Sequence, residues 1–180
     1  MMKRGFTILE TLIAISIISL AVGGVFSAVR TGLIGSIISK DETRAFFLAQ
    51  EAIEMLRQKR DSNRLVSINT GTTVDWLAGI AENSASDPCR AGGTCRADST
   101  NQTLAYCGSS WGSCSNLLQD TDYRYGYVSG NSTRYKREIQ IECSGVCSAS
   151  DEARVTIRVT WSKGTNNYEL KVKTLLMNWR

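Results

Sequence analysis

The sequence predicts an α+β fold: a long N-terminal helix packed on an antiparallel β-sheet, with a disulfide-stapled connecting loop between them. Three observations carry this. An apolar run from Ile8 to Val29 holds a single charge, Glu10, and passes into a 3.6-residue apolar periodicity that continues to about Arg60. All six Cys follow Pro88. From Tyr123 onward, apolar and polar residues alternate with the period of two that marks strands with one buried face.

The helix comes first. Between Leu12 and Val29 there are eighteen residues without a charge, close to the length needed to cross a bilayer. Beyond Val29, one face collects Ile34, Ile37, Ile38, Ala45, Leu48, Ala49, Ala52, Met55 and Leu56, opposite Ser36, Lys40, Gln50, Glu51, Glu54 and Gln58. Asp41 and Lys59 break the apolar face and Phe47 the polar one, and Asp61-Ser62-Asn63 is read as the stop. A continuous helix from Phe6 to Arg60 would be about 80 Å long at 1.5 Å per residue. No single domain buries such a helix, so its first half belongs in lipid or among other helices, and its second half on a globular domain. Gly23 and Gly24, then Gly32 and Gly35, each weaken the helix by about 1 kcal/mol relative to Ala.

These readings divide the chain into residues 1–5, an apolar helix half over 6–29, an amphipathic half over 30–62, an irregular Cys-containing connection over 63–122 and the sheet over 123–180. In the connection, Leu65-Val66-Ser67-Ile68 and Val74-Asp75-Trp76-Leu77 are short apolar pieces in a polar stretch. The strand patterns are Tyr123 to Ser129, Tyr135 to Cys143, Val155 to Trp161 and Tyr168 to Leu176. Turns are expected from Cys143 to Cys147 and over Ser162 to Asn167.

Composition narrows the chemistry. The chain has 180 residues, no His, one Pro and a formal charge of +4, which falls to +2 once Lys3 and Arg4 are set aside. That excess is too small to argue for nucleic acid. Without His there is no His-dependent triad and no imidazole metal site. Cys89, Cys95, Cys107, Cys114, Cys143 and Cys147 are spaced C-x5-C, C-x6-C and C-x3-C within successive pairs, unlike the C-x2-C knuckles of zinc. An even number outside the apolar segment reads as disulfides formed in an oxidising compartment. Fifteen pairings are possible, and the sequential one is the simplest.

The first residues are more specific. Lys3 and Arg4 keep the N-terminal side cytoplasmic by the positive-inside rule and send the remainder out, the topology that the Cys also require. The apolar run is too long for a cleaved secretory signal, and a plain signal anchor leaves Glu10 unexplained. An acid at the centre of a membrane helix costs about 2.5–3.5 kcal/mol on insertion scales, so Glu10 is a functional-site candidate. The bland alternative is an acid favoured by the helix dipole at a helix start.

The stretch Lys3-Arg4-Gly5-Phe6-Thr7-Ile8-Leu9-Glu10-Thr11-Leu12-Ile13-Ala14 resembles the N-terminus of the type IV pilin superfamily, which includes pilins, minor pilins and the pseudopilins of type II secretion. The resemblance implies cleavage after Gly5 by a prepilin peptidase of the inner membrane and N-methylation of the new N-terminal Phe6. It implies that Glu10 pairs with the N-terminal amine of a neighbouring subunit, that other pilin or pseudopilin subunits and an inner-membrane assembly platform are the partners, and that membrane lipid surrounds the helix before assembly. It also suggests a bend or partial melting near Gly23-Gly24 in assembled filaments. No cofactor, metal or enzymatic activity is implied. A second resemblance, to minor pilins and I-type minor pseudopilins, rests on Arg154 to Trp161, a turn, and a strand ending Thr174-Leu-Leu-Met-Asn-Trp179. The reading is a minor subunit cleaved, methylated and built into a pilus or pseudopilus. Its alternatives are a type II secretion minor pseudopilin and an anchored extracytoplasmic binding domain that does not polymerise.

Other sites are weaker. Asp120-x-Asp122 has calcium-type ligands but reads as a turn. Tyr123-Arg124-Tyr125-Gly126-Tyr127 and Arg134-Tyr135-Lys136-Arg137 interleave aromatics with cations, which could suit nucleic acid; cross-strand pairing on a solvated face is the preferred reading. Asn101-Gln102-Thr103 and Asn131-Ser132-Thr133 match a glycosylation pattern short enough to recur by chance.

Overall fold

A computed structural model describes Gly5, residues 7–82 and residues 86–179. The chain divides into two units, Met1–Thr43 and Arg44–Arg180, and a single helix, α1 (Ile8–Thr70, 63 residues), contributes to both. The helix is unbroken across Gly23 and Gly24.

The first unit is helical, and its apolar side chains from Ile8 to Ile37 are exposed. Its hydroxyls are satisfied within the helix: Thr11 Oγ1 donates to the Ile8 carbonyl, Ser16 Oγ to that of Leu12 and Thr31 Oγ1 to that of Ser27. Polar groups that turn back onto their own backbone in this way need no water, as an apolar surround requires. A Cβ added at Gly23, Gly24, Gly32 or Gly35 would meet nothing within the chain, so none of these glycines answers to an internal contact.

In the second unit the helix packs on an antiparallel sheet. Ala45, Leu48, Ala49, Ala52, Ile53, Met55 and Leu56 form the buried stripe. The helix ends eight residues beyond 62. Asp61 and Asn63 do not cap it there, because their side chains are used across the fold: Asp61 Oδ1 accepts from Arg60 Nε and Trp179 Nε1, while Asn63 Nδ2 donates to the carbonyls of Trp76 and Ala78. The stop is Gly71, in the left-handed conformation that Gly adopts without penalty (φ +66).

The main sheet has five strands in the order β2-β1-β6-β7-β8, numbered along the chain. These are β1 (Thr94–Asp98), β2 (Thr103–Gly108), β6 (Tyr135–Cys143), β7 (Glu152–Lys163) and β8 (Asn166–Met177). A second, three-stranded sheet has the order β4-β3-β5, from β3 (Leu118–Gln119), β4 (Tyr125–Gly126) and β5 (Asn131–Ser132). The registers Tyr135↔Trp161, Arg137↔Val159, Ile139↔Ile157 and Ile141↔Val155 place alternate residues of β6 and β7 on the helix side. There Ile139, Ile141, Val155, Ile157 and Val159 complete the core with Trp76, Leu77 and Ile80.

The region 63–122 is therefore more ordered than its composition suggests. Besides the last turns of α1, it supplies two strands of the main sheet and the central strand of the small one. The pattern at Tyr123 to Ser129 shrinks to the two residues of β4 and belongs to the small sheet. Three disulfides join Cys89 to Cys95, Cys107 to Cys114 and Cys143 to Cys147, with Cα separations of 5.0, 4.9 and 5.1 Å. Cys95 lies on β1 and Cys107 on β2, so two of the bridges tie loop to strand at the newly recognised end of the sheet.

Candidate functional site

The N-terminal site is built on the first turn of α1. Thr7 caps it: its Oγ1 accepts the Glu10 N–H at 3.3 Å, and its carbonyl accepts the N–H groups of Glu10 and Thr11. Thr three residues before Glu is the spacing of a capping box, a signal present in the sequence that fixes where the helix begins. Glu10 is thereby held in the first turn with its side chain exposed. Among the described residues its carboxylate has no hydrogen-bond or ion-pair partner. Gly5 is exposed and lies outside the helix, while Phe6 and the basic residues Lys3 and Arg4 lie outside the described residues.

The segment that follows has the properties of a membrane span by length and composition. Its most apolar window of eighteen residues has a mean hydropathy of 2.4, and none of it is buried within the chain. An unpartnered carboxylate thus stands at the head of an uncovered apolar helix. Residues 1–26 match the family described as the prokaryotic N-terminal methylation motif.

The chain carries the type IV pilin signature. The match ends at residue 26, so the second unit is described by its structure alone. No curated protein and no solved structure matches the chain. The motif implies processing by a prepilin peptidase and assembly with other pilin subunits, and it points to a structural subunit.

The remaining candidates resolve differently. Asp120 and Asp122 are engaged by their own turn: Asp120 Oδ1 accepts the N–H groups of Asp122 and Arg124, and the Arg124 guanidinium pairs with both carboxylates. Among the described residues no group of three or more potential ligands could hold a metal ion. The aromatic and basic stretch does not form one solvated array. Tyr135 and Arg137 are buried on the helix side of the sheet, with Tyr125 edge-on to Tyr135 at 6.3 Å between centroids.

Two adjacent buried charges were not recognised from the sequence. Arg137 reaches into the core, where Nη1 donates to the Leu48 carbonyl at 2.9 Å and to Glu51 Oε2 at 2.7 Å, and Nη2 donates to the Ala97 carbonyl. Ser99 Oγ donates to the other Glu51 oxygen at 2.6 Å. One guanidinium therefore ties α1, β1 and β6 together. Tyr127 Oη donates to the Arg137 carbonyl, and burial raises the Tyr127 pKa above its ordinary value of 10.0 against the opposing pull of Arg137 and Arg96.

Glu138 points the other way. Its carboxylate accepts the N–H of Gly112 through both oxygens, at 2.8 and 2.9 Å, and that of Cys114 at 3.1 Å, with Arg158 Nη1 at 3.8 Å. The loop closed by the Cys107–Cys114 bridge is thus held over the outer face of the sheet by an anion in a cradle of backbone amides. Arg158 lies beneath the Trp111 ring of that loop and pairs with Glu169. The Glu169 carboxyl is held below its ordinary value, chiefly by the hydrogen bond from Lys171 and secondarily by Arg158.

Proposed function

We propose that this chain is a minor pilin-like subunit, made as a precursor, cleaved after Gly5, N-methylated at Phe6 and assembled into an extracytoplasmic filament. Before assembly it sits in the inner membrane as a single span, with the disulfide-bonded unit outside. The observation that carries this reading is the methylation motif over residues 1–26.

The physics runs through Glu10. Cleavage leaves a positively charged amine on Phe6, four residues before a carboxylate at the start of an apolar helix. An isolated acid within the membrane is unfavourable by about 2.5–3.5 kcal/mol. Pairing with the amine of the next subunit relieves that cost, and does so only on assembly. A head-to-tail contact that does not close on itself generates an open helical filament.

Mass spectrometry of the mature N-terminus tests the processing step: an N-methylated Phe6 is expected, and a chain still starting at Met1 or Met2 overturns the reading. Glu10→Ala is expected to leave processing largely intact but to impair incorporation into filaments. Normal incorporation of that variant would remove the proposed pairing.

A further inference from the structure

The small sheet contributes little to the core, yet its backbone is unusual. Its strands are two residues long, and Gly130 between β4 and β5 has φ +120, with its α-carbon so close to β3 that a Cβ would run into the Gln119 carbonyl. Tyr123 adopts φ +62, uncommon for a residue other than Gly, and is 80% exposed. A large aromatic is held outward in a conformation that would suit Gly better. Backbone strain of this kind needs a surround that over-determines it and clusters at binding sites.

What surrounds Tyr123 has a definite chemistry. Gln119 is the register partner of both Tyr125 and Asn131, so these three side chains lie in a row on one face of the small sheet. With Tyr123 and Arg44 they line an open groove of about 450 Å³. A second groove of about 720 Å³ lies alongside and shares Arg44, Gln119, Tyr123 and Tyr125, so the two flank a common ridge. Among the described residues the amides of Gln119 and Asn131 and the guanidinium of Arg44 have no side-chain partner. The other charges lining the two grooves are Asp120, Arg134, Arg124 and Glu51. Arg124 pairs with Asp120 and with neighbouring Asp122, Glu51 pairs with Arg137, and Arg134 lies over the Tyr135 ring. Arg44 remains as an uncommitted cation.

Two primary amides each offer both donors and acceptors, which suits hydroxyl groups on adjacent carbons. An exposed aromatic face suits an apolar, ring-shaped surface laid against it. A free guanidinium suits a carboxylate, which it can bind through two parallel hydrogen bonds. We infer that the Tyr123–Gln119–Asn131 platform binds a carboxylate-bearing glycan, a sugar chain of the uronic acid type, with its ring on Tyr123, its hydroxyls on the two amides and its acid group on Arg44. This activity belongs to the single chain and does not depend on filament assembly.

The test uses the full chain in nanodiscs of uncharged lipid, titrated calorimetrically with hexagalacturonate and, separately, with neutral maltohexaose. Hexagalacturonate binds saturably, with affinity at least about tenfold above that for maltohexaose. Tyr123→Gly weakens binding at least about tenfold while the unfolding temperature holds or rises, because Gly adopts the local backbone without strain. Arg44→Gln removes the preference for the acidic sugar, and Lys173→Gln on β8, which lines neither groove, leaves it unchanged. Absence of saturable binding, equal affinity of the wild type for both sugars, or undiminished binding by Tyr123→Gly each overturns the inference. An apparent affinity that varies with chain concentration would assign the platform to a second copy of the chain and overturn it equally.

Discussion

The two parts of α1 belonging to the two units contain similar residue types with opposite fates. From Ile8 to Ile37 the large apolar side chains are exposed, Leu20 at 78% and Phe26 at 70%, whereas Ala45, Ala49 and Ala52 are at 0% and Leu56 at 1%. The difference is visible in size and arrangement. The earlier part is apolar all round and rich in Ile, Leu and Val, as suits a helix whose whole circumference meets apolar neighbours. The later part has a single stripe in which Ala alternates with larger residues, so that a helix can approach a sheet closely. It also carries its own polar anchor, the Leu48 carbonyl and the Glu51 carboxylate that receive Arg137. One stretch is left uncovered by its own chain, and the other is covered by it.

Substitutions in the two parts sharpen that contrast. The largest effect is expected at the anchor: Arg137→Met should destabilise the second unit by about 2–5 kcal/mol, because the Leu48 and Ala97 carbonyls each lose a charged donor in the core, whereas Glu51, 39% exposed, can turn to water. Urea unfolding measures it, and a loss under about 1 kcal/mol would show that the helix–sheet contact is held by apolar packing alone. Next, Leu56→Ala should cost about 2–5 kcal/mol. Leu20→Ala, in the isolated chain in detergent, should change the stability of the second unit by less than about 0.5 kcal/mol. Similar losses from both would abolish the distinction between the two parts.

The smallest effect is a pH dependence confined to the second unit. With its pKa raised by burial, Tyr127 favours its neutral form in the folded state. Its contribution is therefore fully present below the unfolded value, about 10, and is lost as pH rises from there through the higher folded pKa. A tyrosine absorbance titration of the folded chain should show one component displaced to higher pH. Tyr127→Phe should remove that component and reduce the alkaline loss of stability; an unchanged titration would remove the argument.

Legibility followed the range of the interactions. The apolar run, the stripe from Ala45 to Leu56 and the long strands β6, β7 and β8 all announced themselves by period, because each pattern repeats within a few residues. Asp61-Ser62-Asn63 was misleading for the complementary reason. Those side chains stop a helix when they bond locally, and here Asp61 is engaged by Trp179 and Asn63 by the carbonyls of Trp76 and Ala78. The strands β1 and β2 are short and polar, with Arg96 and Asp98 in β1, and their place beside β6 depends on a pairing across some forty residues, Cys95 with Ile139. The N-terminal site was legible as a motif, whereas the Tyr123 platform was legible only as aromatics near cations. Its row of amides exists because Gln119, Tyr125 and Asn131 become cross-strand neighbours.

What the sequence determined by itself is the division of labour. An uncovered apolar helix is headed by Glu10, a methylation motif occupies the first residues, and a Cys-containing domain follows. These depend on composition and on spacings shorter than a helical turn or two. Only the tertiary structure decided what becomes of Arg137 and Glu138. Alternation places them on opposite faces of β6 and assigns one to the core and the other to solvent, yet both are fully buried. Arg137 finds two backbone carbonyls and a carboxylate under the sheet, and Glu138 finds amides offered by a disulfide-closed loop above it. A charge can be buried only where such partners converge, and partners drawn from distant parts of the chain converge only once it has folded.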